Sequence, residues 1–479
     1  MVLINNLIGS FGRYQLCLCL MVFASKFGVA FHQMAILYLA PPSPYTCPDN
    51  QSCCENPIFD KRDFTRTIIT EWKLICEKAW LKDFTQTLFQ FGVLSGSFLF
   101  GVASDRYGRR PTLLAAVVLE LFFGVVSSFL PDYWSFTIAR MFLGISVGGI
   151  MVVGFVLVLE YVGGAYRDAI SALFHIPFTL GHILLALFGY LIRDYAIFQL
   201  GISLANMLLV VYVCILPESL RWLLAVKKTN EAIMLIEHVA KINKLPTEDI
   251  ERQIQLYYME NLRTGHRKGT VIDLFRTPNL RKHIMLMSFI WFVCSYSFYG
   301  MTHYISHLTG NVHINVIACG LVCLCACLIA IPLIKIAKRR TLVIIPNILS
   351  SLCFILIMFV PENIGSLIMG CGGVLCSFLV FIVIYLYCSE IFPTIVRNAA
   401  IGITSMMARL GAMVAPFAAA LRPFGPWCAP LAFSFLPLIA ALLCLFLPET
   451  KNCDLLMTLQ EGEDLGSRRT TETITEETS

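Results

Sequence analysis

Two sets of residues in this chain can do chemistry where little is tolerated: charges set deep in apolar runs, and acids and arginines gathered at the ends of those runs. Arg409 lies in Ser405-Met406-Met407-Ala408-Arg409-Leu410-Gly411, well inside an apolar stretch. A guanidinium at such depth costs at least ~2.5–3.5 kcal/mol on insertion scales, so it must face an aqueous cavity or an acid. Glu120, midway along another run, is one acid that can supply a structural ion pair; its other readings are a proton site or an unused residue at the lipid edge. Lys26, His32 and Gln33 share the first run, where Lys26 either touches a solute or is paired. Cys319, Cys323 and Cys327 recur at i, i+4 and i+8, a pattern that suggests helix packing before metal or thiol chemistry. There is no His-rich metal set, no nucleophile with its base, and no phosphate-cradling glycine loop. The expectation is a protein that is not an enzyme and needs no metal or cofactor.

The elements that must position these residues are membrane helices. The chain is 57% hydrophobic and 14% charged over 479 residues, with a mean hydropathy of +0.73. Ordinary soluble domains have about 45–50% apolar and about 25% charged residues. Runs of about 20 apolar residues, each long enough to cross a hydrocarbon core, number about twelve. They fall as six in residues 1–216, a polar insert at 217–282 with short helices, six more in 283–450, and a Thr/Glu-rich tail at 451–479 expected to have no fold.

Basic clusters lie at Asp105-Arg106-Tyr107-Gly108-Arg109-Arg110, throughout the insert, at Lys335 with Lys338-Arg339-Arg340, and at Arg397. Loops between them lack such clusters, so the positive-inside rule predicts that both termini are cytoplasmic and that loop 41–82 is extracellular. The net charge of +5 is dispersed in these short clusters, which excludes a nucleic-acid face. Of 19 cysteines, only Cys47, Cys53, Cys54 and Cys76 fall in that loop, where they are disulfide candidates; Asn50 there opens a glycosylation sequon.

The six-plus-six layout resembles the major facilitator superfamily, an all-α membrane fold of two six-helix bundles. Gly101-Val102-Ala103-Ser104-Asp105-Arg106-Tyr107-Gly108-Arg109-Arg110 matches its G-x-x-x-D-R-x-G-R-R turn, and Arg140, Gly144 and Gly148 its R-x-x-x-G-x-x-x-G helix. The 335–340 turn keeps the basic end without the acid, a degraded copy. A finer resemblance, covering nearly the whole chain, is to the organic cation, anion and zwitterion transporters of solute carrier family 22. It is carried by Phe11-Gly12-Arg13-Tyr14-Gln15, Glu71-Trp72-Lys73-Leu74-Ile75-Cys76, Glu160-Tyr161-Val162-Gly163 with Arg167, Pro217-Glu218-Ser219-Leu220-Arg221-Trp222, Glu390-Ile391-Phe392-Pro393-Thr394 with Arg397, and Pro448-Glu449-Thr450.

The resemblance implies a plasma-membrane carrier working by alternating access, with Asp105, Arg106, Gly108, Arg109, Arg110, Arg140, Glu160, Arg167, Glu218, Arg221, Glu390, Arg397 and Glu449 as gating groups. It implies a solute site that includes Arg409 and Ser405. Aromatic walls at Tyr296, Phe298, Tyr299, Tyr385 and Tyr387 fall where the family has them, while His32 and Gln33 stand where family carriers place a histidine and an asparagine. Cation carriers of the family have an aspartate where anion and carnitine-type carriers have an arginine, so Arg409 resembles a carboxylate clamp. The lysine that many anion carriers have in span 8 is Cys327 here. The expected partners are the lipid bilayer, a small organic anion or zwitterion, and a counter-substrate or coupling ion. The alternatives are a cation or polyspecific carrier of the same family, and a non-transporting scaffold or receptor.

Overall fold

The computed structural model describes residues 7–47, 53–54, 56–209, 215–246, 249–255, 271–306, 308, 310–361, 364–393, 395–421, 424–451, 456 and 458–465. Ten helices among them are long and apolar enough to cross a membrane, and two shorter apolar helices, Tyr195–Leu209 and Cys428–Cys444, accompany them. The chain divides into two units, Met1–His266 and Arg267–Ser479.

The first unit contains α1 (Arg13–Met34), α2 (Trp80–Tyr107), α3 (Arg109–Ser127), α4 (Tyr133–Tyr161), α5 (Ile176–Leu191), α6 (Tyr195–Ala205), and the short polar-side helices α7 (Leu220–Ala225) and α8 (Thr229–Asn243). The spans are hydrophobic almost all round, as lipid requires. Phe98, Leu99 and Val102 on α2 and Leu187 and Leu191 on α5 stay exposed, the apolar outer surface of a membrane protein. Where the chain leaves lipid, side chains satisfy the freed amides. Asp132 caps α4, accepting from the Ser135 backbone N–H at 2.9 Å, and this bond holds its carboxyl below the usual aspartate pKa. Gln15 bonds Ile8 and Gly9, and Asn243 at the end of α8 bonds both Gln15 and Ile8, so the Phe11–Gln15 motif ties the start of α1 to the polar insert.

Loop 41–82 carries a two-stranded hairpin, β1 (Tyr45–Thr46) with β2 (Ile58–Phe59), and two disulfides, Cys47–Cys54 and Cys53–Cys76. Trp72 packs among Tyr133, Phe136 and Tyr195 and donates to the Pro131 carbonyl, which seats the loop on the ends of α4 and α6.

The second unit contains α9 (Pro278–Ser306), α10 (Val312–Ile336), α11 (Arg339–Ile357), α12 (Ile364–Ile391), α13 (Arg397–Ala419) and α14 (Cys428–Cys444). The tail departs from the expectation of no fold: α15 (Leu459–Asp464) docks on this unit. Its Glu463 carboxylate accepts from the backbone N–H groups of Asn279 and Leu280, the orphan donors at the start of α9, and this satisfaction orders a polar segment that composition alone leaves unstructured.

Close backbone approach, rather than apolar attraction, holds spans together in lipid. In the first unit α2 and α4 meet through glycines on both sides. A methyl added at Gly96 would stand 1.9 Å from the Ile145 carbonyl oxygen, and one at Gly144 would stand 2.2 Å from that of Phe89. Neither neighbour can move without moving a helix. Gly96→Val is therefore expected to lower thermal stability in detergent far more than Gly101→Val, whose added carbon meets no neighbour within 4 Å. Overpacking of this kind costs about 1–3 kcal/mol or more; equal melting temperatures for the two variants would refute the close contact.

Candidate functional site

Four clusters of functional side chains stand out, two in each unit. The first is built where α2 turns into α3. Gly108 has φ +103°, open to glycine, and a Cβ there would also strike the Glu218 carboxylate at 2.3 Å. Through this gap Glu218 accepts from the backbone N–H of Arg109 at 2.7 Å and from that of Arg110 at 3.3 Å, an acid at a helix N-terminus. Arg109 folds inward. Its Nε and Nη2 donate to the two oxygens of Glu160 at 3.1 and 3.0 Å, its Nη1 donates to the Ser104 carbonyl, and Nη2 also meets Asp105 at 3.0 Å. Tyr161 donates to the Glu218 carbonyl and Trp222 to that of Asp105, so α7 joins α2, α3 and α4 beside this guanidinium.

The second unit rebuilds the core of this arrangement. Arg339 Nε donates to Glu390, its Nη1 donates to the Ile334 carbonyl, and its backbone N–H donates to Glu449 at 2.8 Å. Tyr387 donates to the Pro448 carbonyl as Tyr161 does to Glu218, and Thr450 bonds Glu390. Donor and acceptor are 51 residues apart in both pairs. Lys335 stands four before Arg339 where Asp105 stands four before Arg109, so the second copy lacks the exposed acid yet retains the buried pair. The degraded turn is thus intact where it is buried. Equal spacing of the two pairs was the signal available in the sequence for Arg339.

The third cluster is a polar knot inside the first unit. Arg140 is fully buried, lies 4.9 Å from the Phe89 ring, and donates to Gln199 Oε1 at 3.4 Å and to the His32 carbonyl at 3.5 Å. With its oxygen held by Arg140, the Gln199 amide nitrogen faces His32 Nδ1 at 3.5 Å. On the other side of the ring, His32 Nε2 lies 3.3 Å from the Asn206 amide nitrogen. Gln33 and Gln90 bond each other beside the knot, and Gln86 bonds the Gln33 carbonyl. Glu120 is fully buried one turn from Gly124, and neither of its carboxyl oxygens has a hydrogen-bond partner among the described residues. Lys26 lies apart from the knot, its ammonium 3.9 Å from the Phe174 ring centroid. Sequence reasoning missed Gln90, Gln199 and Asn206; each is an amide inside an apolar span, where an unbonded polar group is costly.

The fourth cluster, in the second unit, surrounds Arg409. This residue is 6% exposed on α13, within electrostatic reach of Tyr385 on α12. Tyr385 packs edge-on to Trp291 at 4.3 Å, and Phe298 meets Tyr299 at 5.0 Å and Phe378 at 4.9 Å. Gly411 brings α13 against the α9 backbone at Phe292. Tyr296 instead donates its hydroxyl to Ala432, and Ser405 to Gly402.

Of the remaining gating residues, Arg106 lies exposed over the Tyr107 ring, Arg110 is exposed, Arg221 is half-buried on α7, and Arg397 Nε donates to the Phe392 carbonyl. Asn50 and the Arg167 side chain lie outside the described residues.

Residues 77–458 match the model of the family described as "Sugar (and other) transporter". The organic cation transporter protein of Drosophila melanogaster is 31% identical over 98% of this chain and 96% of its own length. Solute carrier family 22 member 1 of Bos taurus is 33% identical, covering 83% of this chain and 71% of the relative. For member 16 of Homo sapiens the figures are 33%, 87% and 73%. The inward-open xylose transporter XylE from E. coli shares the fold at 20% identity, with a TM-score of 0.70 over 94% of this chain and 100% of that one. Fold and paired latches define a transporter of the major facilitator superfamily, a multi-pass membrane protein and not an enzyme. Within it, the chain belongs to solute carrier family 22.

The buried pairs Arg109–Glu160 and Arg339–Glu390 have side chains 10–16% exposed. Removing one partner of such a pair costs about 3–5 kcal/mol. Double-mutant cycles on thermal unfolding are expected to give coupling above ~1 kcal/mol in both units. Additivity at Arg339/Glu390 would remove the second latch.

Proposed function

We propose that this chain carries small organic anions or zwitterions bearing a carboxylate, by alternating access across the plasma membrane, and that Arg409 is the group that holds the carboxylate. The observation that carries this reading is a buried guanidinium within electrostatic reach of Tyr385, whose ring packs on Trp291: a cation for the acid and nearby rings for its aryl or alkyl body. The latches at Arg109 and Arg339 break and reform as spans change tilt. No nucleotide is needed; solute gradients, a counter-substrate or a coupling ion supply the energy. Both termini lie in the cytoplasm, which puts loop 41–82 in an oxidising compartment, in keeping with its two disulfides.

A second reading, a carrier of organic cations, draws on the names of relatives such as the Drosophila organic cation transporter protein. Uptake of labelled carboxylates, carnitine-like zwitterions and quaternary amines into oocytes, at matched surface levels, separates the two. Wild type is expected to take up carboxylates or zwitterions, with a loss of roughly 10- to 100-fold in Arg409→Ala, the size of one or two charged hydrogen bonds, and no rescue by Arg409→Asp. Quaternary amines carried equally by wild type and Arg409→Ala would establish the cation reading instead.

A further inference from the structure

Glu120 is a buried acid that neither the latch nor the polar knot uses. It belongs to the stripe Leu113, Ala116, Val117, Glu120, Gly124 and Ser127, which faces the interior of the first unit, while Val118, Leu119 and Phe122 of the same helix face outward. The acid is therefore not at the lipid edge. One turn along this face, a Cβ at Gly124 would stand 2.5 Å from Ser203 Oγ on α6 and 3.4 Å from His32 Cε1 on α1, so the stripe that carries Glu120 also borders the knot. α3 packs on α4, α6 and α2. α2 has no titratable side chain between Asp83 and Asp105, α6 has none after Tyr195, and α4 has only Arg140 between Tyr133 and Glu160. Arg140 is engaged with Gln199 and the His32 carbonyl, and neither carboxyl oxygen of Glu120 has a partner among the described residues.

We propose that Glu120 is a proton-binding site and that the proton is the coupling ion of this carrier, taken up by the Glu120 carboxylate on the outer side and released to the cytoplasm with the solute. A bare carboxylate with no hydrogen bond and no counter-charge is costly in a membrane interior, so the group is stored here as the neutral acid. A metal cation would require a shell of several oxygens. No polar atom of the described residues reaches the carboxyl group, and a proton needs only the carboxylate itself. The path to water runs through the latch. Glu120 stands eleven residues beyond Arg109 (109 to 120) on α3, about three turns in, so release of Arg109 from Glu160 frees the cytoplasmic start of the helix that carries the acid. With water admitted, the O–H bond breaks, the proton passes to water and the carboxylate is solvated. α3 closes again only after the carboxylate regains a proton, because closing over the bare anion would bury an unpaired charge. That cost is what ties one proton to each cycle.

This inference rests on the alternating-access reading and not on the charge of the solute. The test reconstitutes the full-length protein in liposomes and follows whichever solute of the mixed panel wild type carries, with a pH-sensitive dye reporting proton movement. An imposed inward proton gradient is expected to raise wild-type uptake several-fold and to drive accumulation, with solute-dependent acidification of the lumen, whether or not sodium is replaced by an impermeant cation. Glu120→Gln, an amide that neither binds nor releases a proton, is expected to lose accumulation and acidification while still exchanging labelled for unlabelled solute, and Glu120→Asp to regain the response to pH. Infrared spectra of the purified proteins give a readout independent of transport: at neutral pH, where exposed carboxyls are ionised, wild type is expected to show a protonated-carboxyl band that Glu120→Gln lacks. Wild-type uptake indifferent to the proton gradient, uptake that follows sodium instead, or gradient-driven accumulation that persists in Glu120→Gln would each overturn the proposal. Identical infrared spectra for the two proteins would do the same for the stored acid. Transport of no solute in the panel would defeat the carrier reading and the coupling together, whereas transport without proton movement defeats the coupling alone.

Discussion

A guanidinium that leaves water must take its counter-charge and its acceptors with it, and the latch in each unit is organised around that demand. Arg109 reaches a carboxylate on α4, a carbonyl at the end of α2 and an exposed acid one turn back, while its own backbone N–H is held by Glu218. Three helix ends are thereby tied to a single side chain, and Glu218 adds the segment before α7 through the backbone. The tie is strong while assembled and leaves several charges without partners once it opens, which suits an element with two discrete arrangements. Glycine at position 108 is part of the same device, because any side chain there would occupy the space that Glu218 fills.

Repetition makes the argument stronger than one site could. The second unit rebuilds the latch with Arg339, Glu390 and Glu449, down to the tyrosine that bonds a neighbouring carbonyl. Internal duplication is a property of this architecture. What the two copies share is the buried part, where an error costs most; what they do not share is exposed. Asp105 is 77% exposed at its side chain and has no acidic counterpart at Lys335. Surface ion pairs are worth little, so this difference is cheap.

Inside the spans the units diverge in chemistry. The first carries amides, a histidine and Arg140 in a bonded knot, whereas the second has a buried Arg409 within electrostatic reach of Tyr385, which packs on Trp291. A knot whose acceptors are already assigned resists change, and rings offer a surface that many solutes can share. Lys26, which sequence places in the same run as His32, belongs to a different face and is occupied by Phe174.

Much of this was legible from the chain alone. Membrane residence, the two groups of six apolar runs, the basic ends and the acids of the latch follow from hydropathy and local motifs, because the cost of placing a residue in lipid is a property of that residue and its near neighbours. Tertiary structure decided which groups meet. Nearby spacing suggests Arg167 for Glu160 and Arg397 for Glu390, and the fold brings to these acids Arg109 and Arg339, each 51 residues away. The same holds for Gln199 and Asn206 closing on His32, for the pairing chosen by four loop cysteines, and for Glu463 folding a polar tail onto α9. A hydrogen bond needs two groups within about 3 Å, and for residues on different helices that distance is set only when the helices pack.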